Sequence, residues 1–254
     1  MIDLHAHVLP GIDDGPDDVA DAVALVRAAS VAGTRQIVAT SHVSRRFPNS
    51  AAEIAVRLEQ TRAALAAEAI DVELISGAEV SLGRAAELDE SELERLRLGS
   101  GPYLLLESPL NPAVGDFELI VDSLAESHQI ALAHPERCPA FRRDPGRLVR
   151  LVARGALCSV TAGALRGDFG REIKRFTLWL FEQGLIHNVA SDAHDLGARR
   201  PEVLEVLAGA EPELPGLGEE ITWFTETVPA AVLAGEPVGS PPRLQHVRRS
   251  WWRR

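Results

Sequence analysis

Cysteine, lysine, methionine and tyrosine are nearly missing from this 254-residue chain. Two cysteines, Cys138 and Cys158, cannot form a disulfide framework for a chain of this length. Lys174 is the single lysine, so almost all positive charge is arginine. Basic residues are outnumbered, 26 Lys and Arg against 37 Asp and Glu, which gives a formal charge of -11 and argues against a nucleic-acid binder. An anionic small substrate stays open, because bound cations reverse charge locally. No apolar run approaches the roughly 18 residues a membrane span needs. The opening Met-Ile-Asp-Leu-His lacks the basic start and apolar run of a signal peptide, so a cytoplasmic protein starting directly on its first strand is expected. Repeats, low-complexity segments and internal linkers are absent as well. With 46% hydrophobic residues, what remains is ample material for a core.

Strand-length apolar runs alternate with helical patterns along almost the whole chain. Strands are predicted at 2–4, 36–39, 72–75, 103–106, 130–133, 157–160 and 187–190. Helices are predicted at 17–32, 51–69, 90–98, 116–127, 145–154, 166–183, 201–210 and 219–233. Such alternation implies parallel strands joined by right-handed crossovers. The tail 241–254 differs: it is Pro-rich, then Arg-rich, and carries Trp251 and Trp252. The expected organisation is one α/β domain over 1–240 and a basic tail over 241–254.

His, Asp and Glu recur just past these apolar runs. They are His5 and His7, His42, Glu79, Glu107, His134, Asp192 and His194. In a barrel of parallel strands all strand ends converge on one face, so these residues would line one pocket. In an open sheet only two or three strand ends would meet. His5-Ala-His7 places two imidazoles on one side of an extended segment, and Asp192-Ala-His194 repeats the arrangement. A carboxylate directly after an apolar strand, as at Glu79 and Glu107, needs a partner or a metal. Imidazole and carboxylate in that number suit two or three divalent ions. Asp13-Asp14-Gly15 reads locally as either a ligand loop or an acidic turn with a helix N-cap. Arg137, three residues past His134, is a planar cation suited to phosphate.

The motifs MIDLHAHVLPGIDDGPDD at the start, ATSH at 39–42, GAEV at 77–80, LLLES at 104–108, ALAHPER at 131–137, VTAGALRGDFG at 160–170 and ASDAH at 190–194 lie in order along residues 1–235. Together they resemble the PHP (polymerase and histidinol phosphatase) superfamily. Within it they are most similar to the bacterial tyrosine-protein phosphatase branch encoded with capsular and exopolysaccharide genes. The resemblance implies a distorted seven-stranded (β/α)7 barrel of TIM type holding on the order of three divalent ions. Manganese is the usual occupant, with iron, cobalt, magnesium and zinc as alternatives. It implies that His5, His7, Glu79 and Asp192 surround one ion and that Glu79 bridges to a second, held also by Glu107 and His134. Asp14, His42 and His194 are implied near a third. Arg137 and Arg199 match the arginines that grip phosphate.

The implied reaction is phosphotyrosine hydrolysis by a metal-bridged hydroxide, with Asp192, Arg137, Arg199 and His42 acting in catalysis and His42 or a bound water as proton donor. The implied substrate is the tail of a tyrosine kinase that drives polysaccharide export, and membrane contact would come only through that partner. Two positions depart from the family pattern: Cys138 stands where an aromatic is usual, and Ser44-Arg45-Arg46-Phe47 has no close counterpart. Cysteine-dependent phosphatase chemistry is rejected, because it needs an arginine six residues past the thiolate, where Asp144 and Ala164 stand. Competing readings are a PHP phosphatase for histidinol phosphate or another small phosphomonoester, a binding module with a decayed site, and a tail that docks to an acidic partner or membrane surface by Arg and Trp.

Overall fold

A computed structural model describes residues 1–111 and 117–247. Nine parallel-paired strands occur among them: β1 (Ile2–Ala6), β2 (Gln36–Ala39), β3 (His42–Val43), β4 (Glu73–Ser76), β5 (Glu79–Ser81), β6 (Tyr103–Glu107), β7 (Gln129–Ala133), β8 (Leu157–Thr161) and β9 (Asn188–Ala190). They form a three-stranded sheet, β1-β2-β4, and a six-stranded sheet, β3-β5-β6-β7-β8-β9. The parallel α/β architecture therefore agrees with the alternation in the sequence, but seven strands in one barrel is not what the hydrogen bonding gives.

The extra strands, β3 and β5, lie just past two of the expected runs, each after a two-residue break. Residues Thr40-Ser41 part β2 from β3, and Gly77-Ala78 part β4 from β5. At the first break the Thr40 hydroxyl accepts the Ala6 N–H at 3.0 Å, a side chain taking the place of a ladder carbonyl. At the second the Gly77 backbone passes so close to Val38 that a Cβ would lie 2.6 Å from its Cγ1. Past the ends of β1 and β9 the two sheets meet: the Asp192 N–H donates to the His5 carbonyl and the His7 N–H to the Ala193 carbonyl, both at 2.8 Å.

Strands buried on both faces separate two apolar layers. Leu104 and Leu106 face outward into the cluster beneath the helices, whereas Tyr103 and Leu105 face inward with Leu4, Val38, Ala131 and Leu157. Glu107 shares the inward parity of Tyr103 and Leu105. In β1 the pairing register shifts between Asp3 and Ala6, and the faces invert with it: Leu4 is inward and Ala6 outward. That irregularity turns His5 toward the interior.

Helix termini follow local chemistry. Asp18, Ser50 and Asp89 cap Val19–Val31, Ala51–Ala67 and Glu90–Arg95 by accepting the N–H three residues on. The helix predicted at 166–183 is instead two, Ala162–Arg166 and Arg171–Gln183, because Gly167 and Gly170 adopt φ of 101° and 94°. The predicted start at residue 116 lies outside the described residues, as do Trp251 and Trp252. Within the tail, Leu244 is buried and its N–H donates to the Phe181 carbonyl at 3.2 Å. No helix among the described residues is long and apolar enough to cross a membrane.

Candidate metal centre

Every candidate ligand read from the sequence falls into one cluster at the C-terminal ends of β1, β2, β4, β6, β7 and β9. His5 Nε2 lies 3.2 Å from His7 Nε2, 3.2 Å from Glu79 Oε2 and 3.3 Å from Asp192 Oδ1. The ligand atoms of these four residues all lie within 4.8 Å of one another, and all four residues are buried. Glu79 also meets His42 and Glu107 in a second such group, and His134 Nε2 reaches Glu79 Oε1 at 2.7 Å. A third group joins Asp14, His42 and His194 to His7. There, Asp14 Oδ1 stands 3.4 Å from His42 Nε2 and 3.2 Å from His194 Nε2. His42 and Glu79 sit within short strands of their own, side by side in the β3–β5 register, and not merely past strand ends.

The donor set fits divalent cations. Two imidazole Nε2 atoms 3.2 Å apart both aim at buried carboxylate oxygens. Asp192 Oδ1 and His194 Nε2 are buried without a hydrogen bond. Buried polar atoms without partners are costly, and a cation among them removes the cost. His134 and Asp192 adopt φ of 38° and 53°, a left-handed backbone that non-glycine residues seldom take. Such strain at two candidate ligands is characteristic of functional sites.

Electrostatics bind the cluster together without ions. Burial alone would lift the Asp192 carboxyl, but His5, Arg199, His134 and His194 hold it well below the usual carboxylate range. Glu79 is likewise kept ionised against its burial by His5 and His134. Burial lowers His7, yet hydrogen bonds and charge from Asp13 and Glu79 overrule it and bring it to about 10. Glu107 has less compensation: burial and the Glu79 charge push it up to about 7. Arg137 Nη1 and Arg199 Nη2 both donate to Asp192 Oδ2, at 2.8 and 2.6 Å. The Arg137 guanidinium lies 4.7 Å from the centre of the Phe169 ring, a cation–π contact that fixes its plane.

Several contributors had no distinct signature in sequence. Asp13, left as one of two equivalent turn acids, accepts from His7 Nδ1 at 2.8 Å and from the His42 N–H at 2.9 Å. Asp3 accepts the His5 and Ser191 N–H groups, tying β1 to the end of β9. Glu136, fully buried, accepts the Thr161 N–H at 3.0 Å. Phe47, in the stretch without a family counterpart, stacks on His42 with ring centres 5.6 Å apart and planes 5° apart. An acid within an apolar strand, as in Ile2-Asp3-Leu4, is the one cue that could have pointed to any of these.

Residues 1–213 match the family described as capsular polysaccharide synthesis, CpsB/CapC. Among curated relatives, the tyrosine-protein phosphatase YwqE of Bacillus subtilis (strain 168) is 34% identical over 252 residues, covering 98% of each chain. The tyrosine-protein phosphatase CpsB of Streptococcus pneumoniae is 27% identical over 210 residues, 79% of this chain and 86% of that one. A chain from the crystal structures of YwqE and CpsB, described as unique metal-dependent tyrosine phosphatases, superposes with a TM-score of 0.83 at 33% identity, covering 98% of this chain and all of that one. A lactonase from Listeria monocytogenes, at 13% identity and a TM-score of 0.56 over 92% of this chain, shares the fold alone.

Proposed function

The chain belongs to the CpsB/CapC family of capsular polysaccharide synthesis, and from that premise we propose that it is a metal-dependent protein-tyrosine phosphatase. The observation that carries this reading is the convergence of His5, His7, Glu79 and Asp192 ligand atoms within 4.8 Å, with two arginines on Asp192.

In this reading His5, His7, Glu79 and Asp192 hold one ion, Glu79, Glu107 and His134 a second, and Asp14, His42 and His194 a third. Manganese is the ion we assign; the imidazole and carboxylate donors suit it, as they suit iron, cobalt or zinc. Divalent ions supply Lewis acidity and a nucleophile at neutral pH. The rest falls to the chain's own residues. Arg137 and Arg199 stand beside Asp192, where their guanidinium groups can turn to phosphoryl oxygens and neutralise charge that develops in the transition state. Phe169 keeps Arg137 in plane, and Asp13 keeps His7 in one tautomer. A tyrosyl oxygen, with an ordinary pKa of about 10, needs less proton donation on leaving than an alkoxide does. Burial first, and the His7 charge, hold the His42 ring near 4 without ions, so it is mostly neutral at neutral pH; that suits it to hold an ion, and a bound water is then the group that would protonate the leaving oxygen.

The strand segments act as one distorted barrel over 1–240, a view supported by the backbone bonds between His5, His7, Asp192 and Ala193, with 241–254 as a basic tail. The substrate we assign is the phosphorylated tail of a cytoplasmic-facing tyrosine kinase of capsule or exopolysaccharide production, met in the cytoplasm. Turnover of phosphotyrosyl peptide, phosphoseryl peptide, histidinol phosphate and sugar phosphates with added manganese tests the assignment. Phosphotyrosine should dominate; hydrolysis of sugar phosphates or histidinol phosphate alone would defeat it.

A further inference from the structure

We propose that the cavity beside Glu107 is the subsite that receives the aromatic ring of the substrate, an inference that rests on the phosphotyrosine reading above. The cavity holds about 480 Å³ and lies between Ser81–Gly83, at the end of β5, and Pro109–Asn111, after β6. Among the described residues Glu107 is its one ionisable lining residue, and Glu107 also forms a group with His42 and Glu79, so the cavity adjoins the metal centre directly. Two larger cavities, of about 870 and 720 Å³, share no residue with the centre. A third includes Asp192 and Arg199 but offers only about 10 Å³, too little for a ring. A phosphoryl group held between the ligands and the two arginines must direct its ester group into an adjoining space, and the Glu107 cavity has the capacity.

Its lining selects the class of group. Leu82, Gly83, Pro109 and Leu110 are apolar, Ser81 and Asn111 are neutral, and no cation takes part among the described residues. Sugar or nucleoside hydroxyls would need many polar partners here, whereas a phenyl ring needs apolar walls and few of them. Leu110 is 46% exposed, a large apolar side chain left at the rim three residues past a candidate ligand. Covering it with a ring removes apolar surface from water. Gly83 has no atom within 4 Å of where a Cβ would stand, and its φ is not left-handed, so the position leaves open space that a side chain would otherwise occupy.

The test fills that space. In the manganese-loaded full-length enzyme, Gly83→Leu should raise KM for a phosphotyrosyl peptide and for phenyl phosphate by about tenfold or more. The inhibition constant of inorganic phosphate, which needs no ring pocket, should stay within about twofold of the parent. Leu110→Asp, at an exposed position that cannot disturb the core, should raise the same KM in the same direction and leave phosphate inhibition unchanged. An unaltered KM in both variants would overturn the proposal, as would a phosphate inhibition constant that rises in step with KM. A parent enzyme that fails to hydrolyse phosphotyrosine would overturn the function itself, whereas an active parent with indifferent variants would overturn the subsite alone.

Discussion

Asp13 accepts a hydrogen bond from His7 Nδ1 at 2.8 Å, and its side chain has no solvent exposure. With ions bound, the contact would keep the proton on Nδ1 and leave Nε2, which faces Glu79, as the ligand atom. The same Asp13 oxygen accepts the His42 N–H, so one carboxylate orients two candidate ligands. Asp13→Asn removes the charge while its amide oxygen can still receive the Gly15 N–H. We expect divalent-ion affinity to fall about 10- to 100-fold, as for other residues that orient metal-binding histidines. Calorimetric titration of ion-stripped protein measures this; unchanged affinity would reduce Asp13 to a turn residue.

Arg137 and Arg199 share Asp192 Oδ2 and approach it from the segments that follow β7 and β9. A planar guanidinium that gives two parallel N–H donors is not reproduced by the single ammonium of lysine. Arg199→Lys should therefore lower kcat/KM on phosphotyrosyl peptide by on the order of 10- to 100-fold and weaken inhibition by inorganic phosphate. Phe169→Leu, which removes the ring beneath Arg137, should weaken phosphate inhibition by a smaller factor, about two- to fivefold. Steady-state kinetics with phosphate as competitor separate both effects from loss of ion, because saturating manganese would not restore them.

The convergence of the ligands was legible because parallel strands bring their C-terminal ends together whatever the spacing in sequence. That rule needs only that each ligand follow an apolar run, as Glu107 follows Leu104-Leu105-Leu106 and His134 follows Ala131-Leu132-Ala133. The breaks at Thr40-Ser41 and Gly77-Ala78 were not legible, since they depend on a hydroxyl reaching Ala6 and on the nearness of Val38. Nor could local sequence choose between Asp13 and Asp14. Both belong to one acidic turn, and only the fold sends Asp13 inward to His7 and Asp14 to the rim. The split of 166–183 was marked by Gly167 and Gly170, whose left-handed φ values outweigh the helical periodicity around them.

Removal of divalent ions should abolish activity without unfolding the chain. Glu79 and Asp192, the most deeply buried carboxylates of the cluster, already face His5, His134, Arg137 and Arg199. The apolar layers on both sides of the strands include no ligand. Chelator treatment should leave the far-ultraviolet circular dichroism spectrum unchanged while phosphatase activity disappears, and manganese should restore it. Collapse of the spectrum on chelation would show that ions hold the fold itself.

Cys138 and Cys158 are buried free thiols, and burial raises the pKa of both. Neither is an available nucleophile, because the reactive species is the thiolate. Cys138→Ala with Cys158→Ala should retain kcat within about threefold, and iodoacetamide should leave the native enzyme active. Rapid inactivation by alkylation would place a thiol in the chemistry after all.

His187 gives a pH dependence separate from the metal centre. Its ring is 6% exposed, Nδ1 accepts the Cys158 N–H at 3.1 Å, and burial lowers it from 6.5 to about 4. The unfolded chain therefore takes up this proton more readily than the folded one. Stability from the neutral ring is fully present above the unfolded value and is lost as pH falls from about 6.5 toward 4. Between about pH 7 and about pH 5 the loss should reach about 2 kcal/mol for this one group. Asn at 187 can offer an oxygen to the Cys158 N–H and does not titrate. Urea unfolding of the parent and of His187→Asn at both pH values reads the difference. The variant should be less stable at neutral pH, through lost packing, but its stability should fall less on acidification. Equal falls in the two proteins would mean that His187 does not resist protonation in the fold.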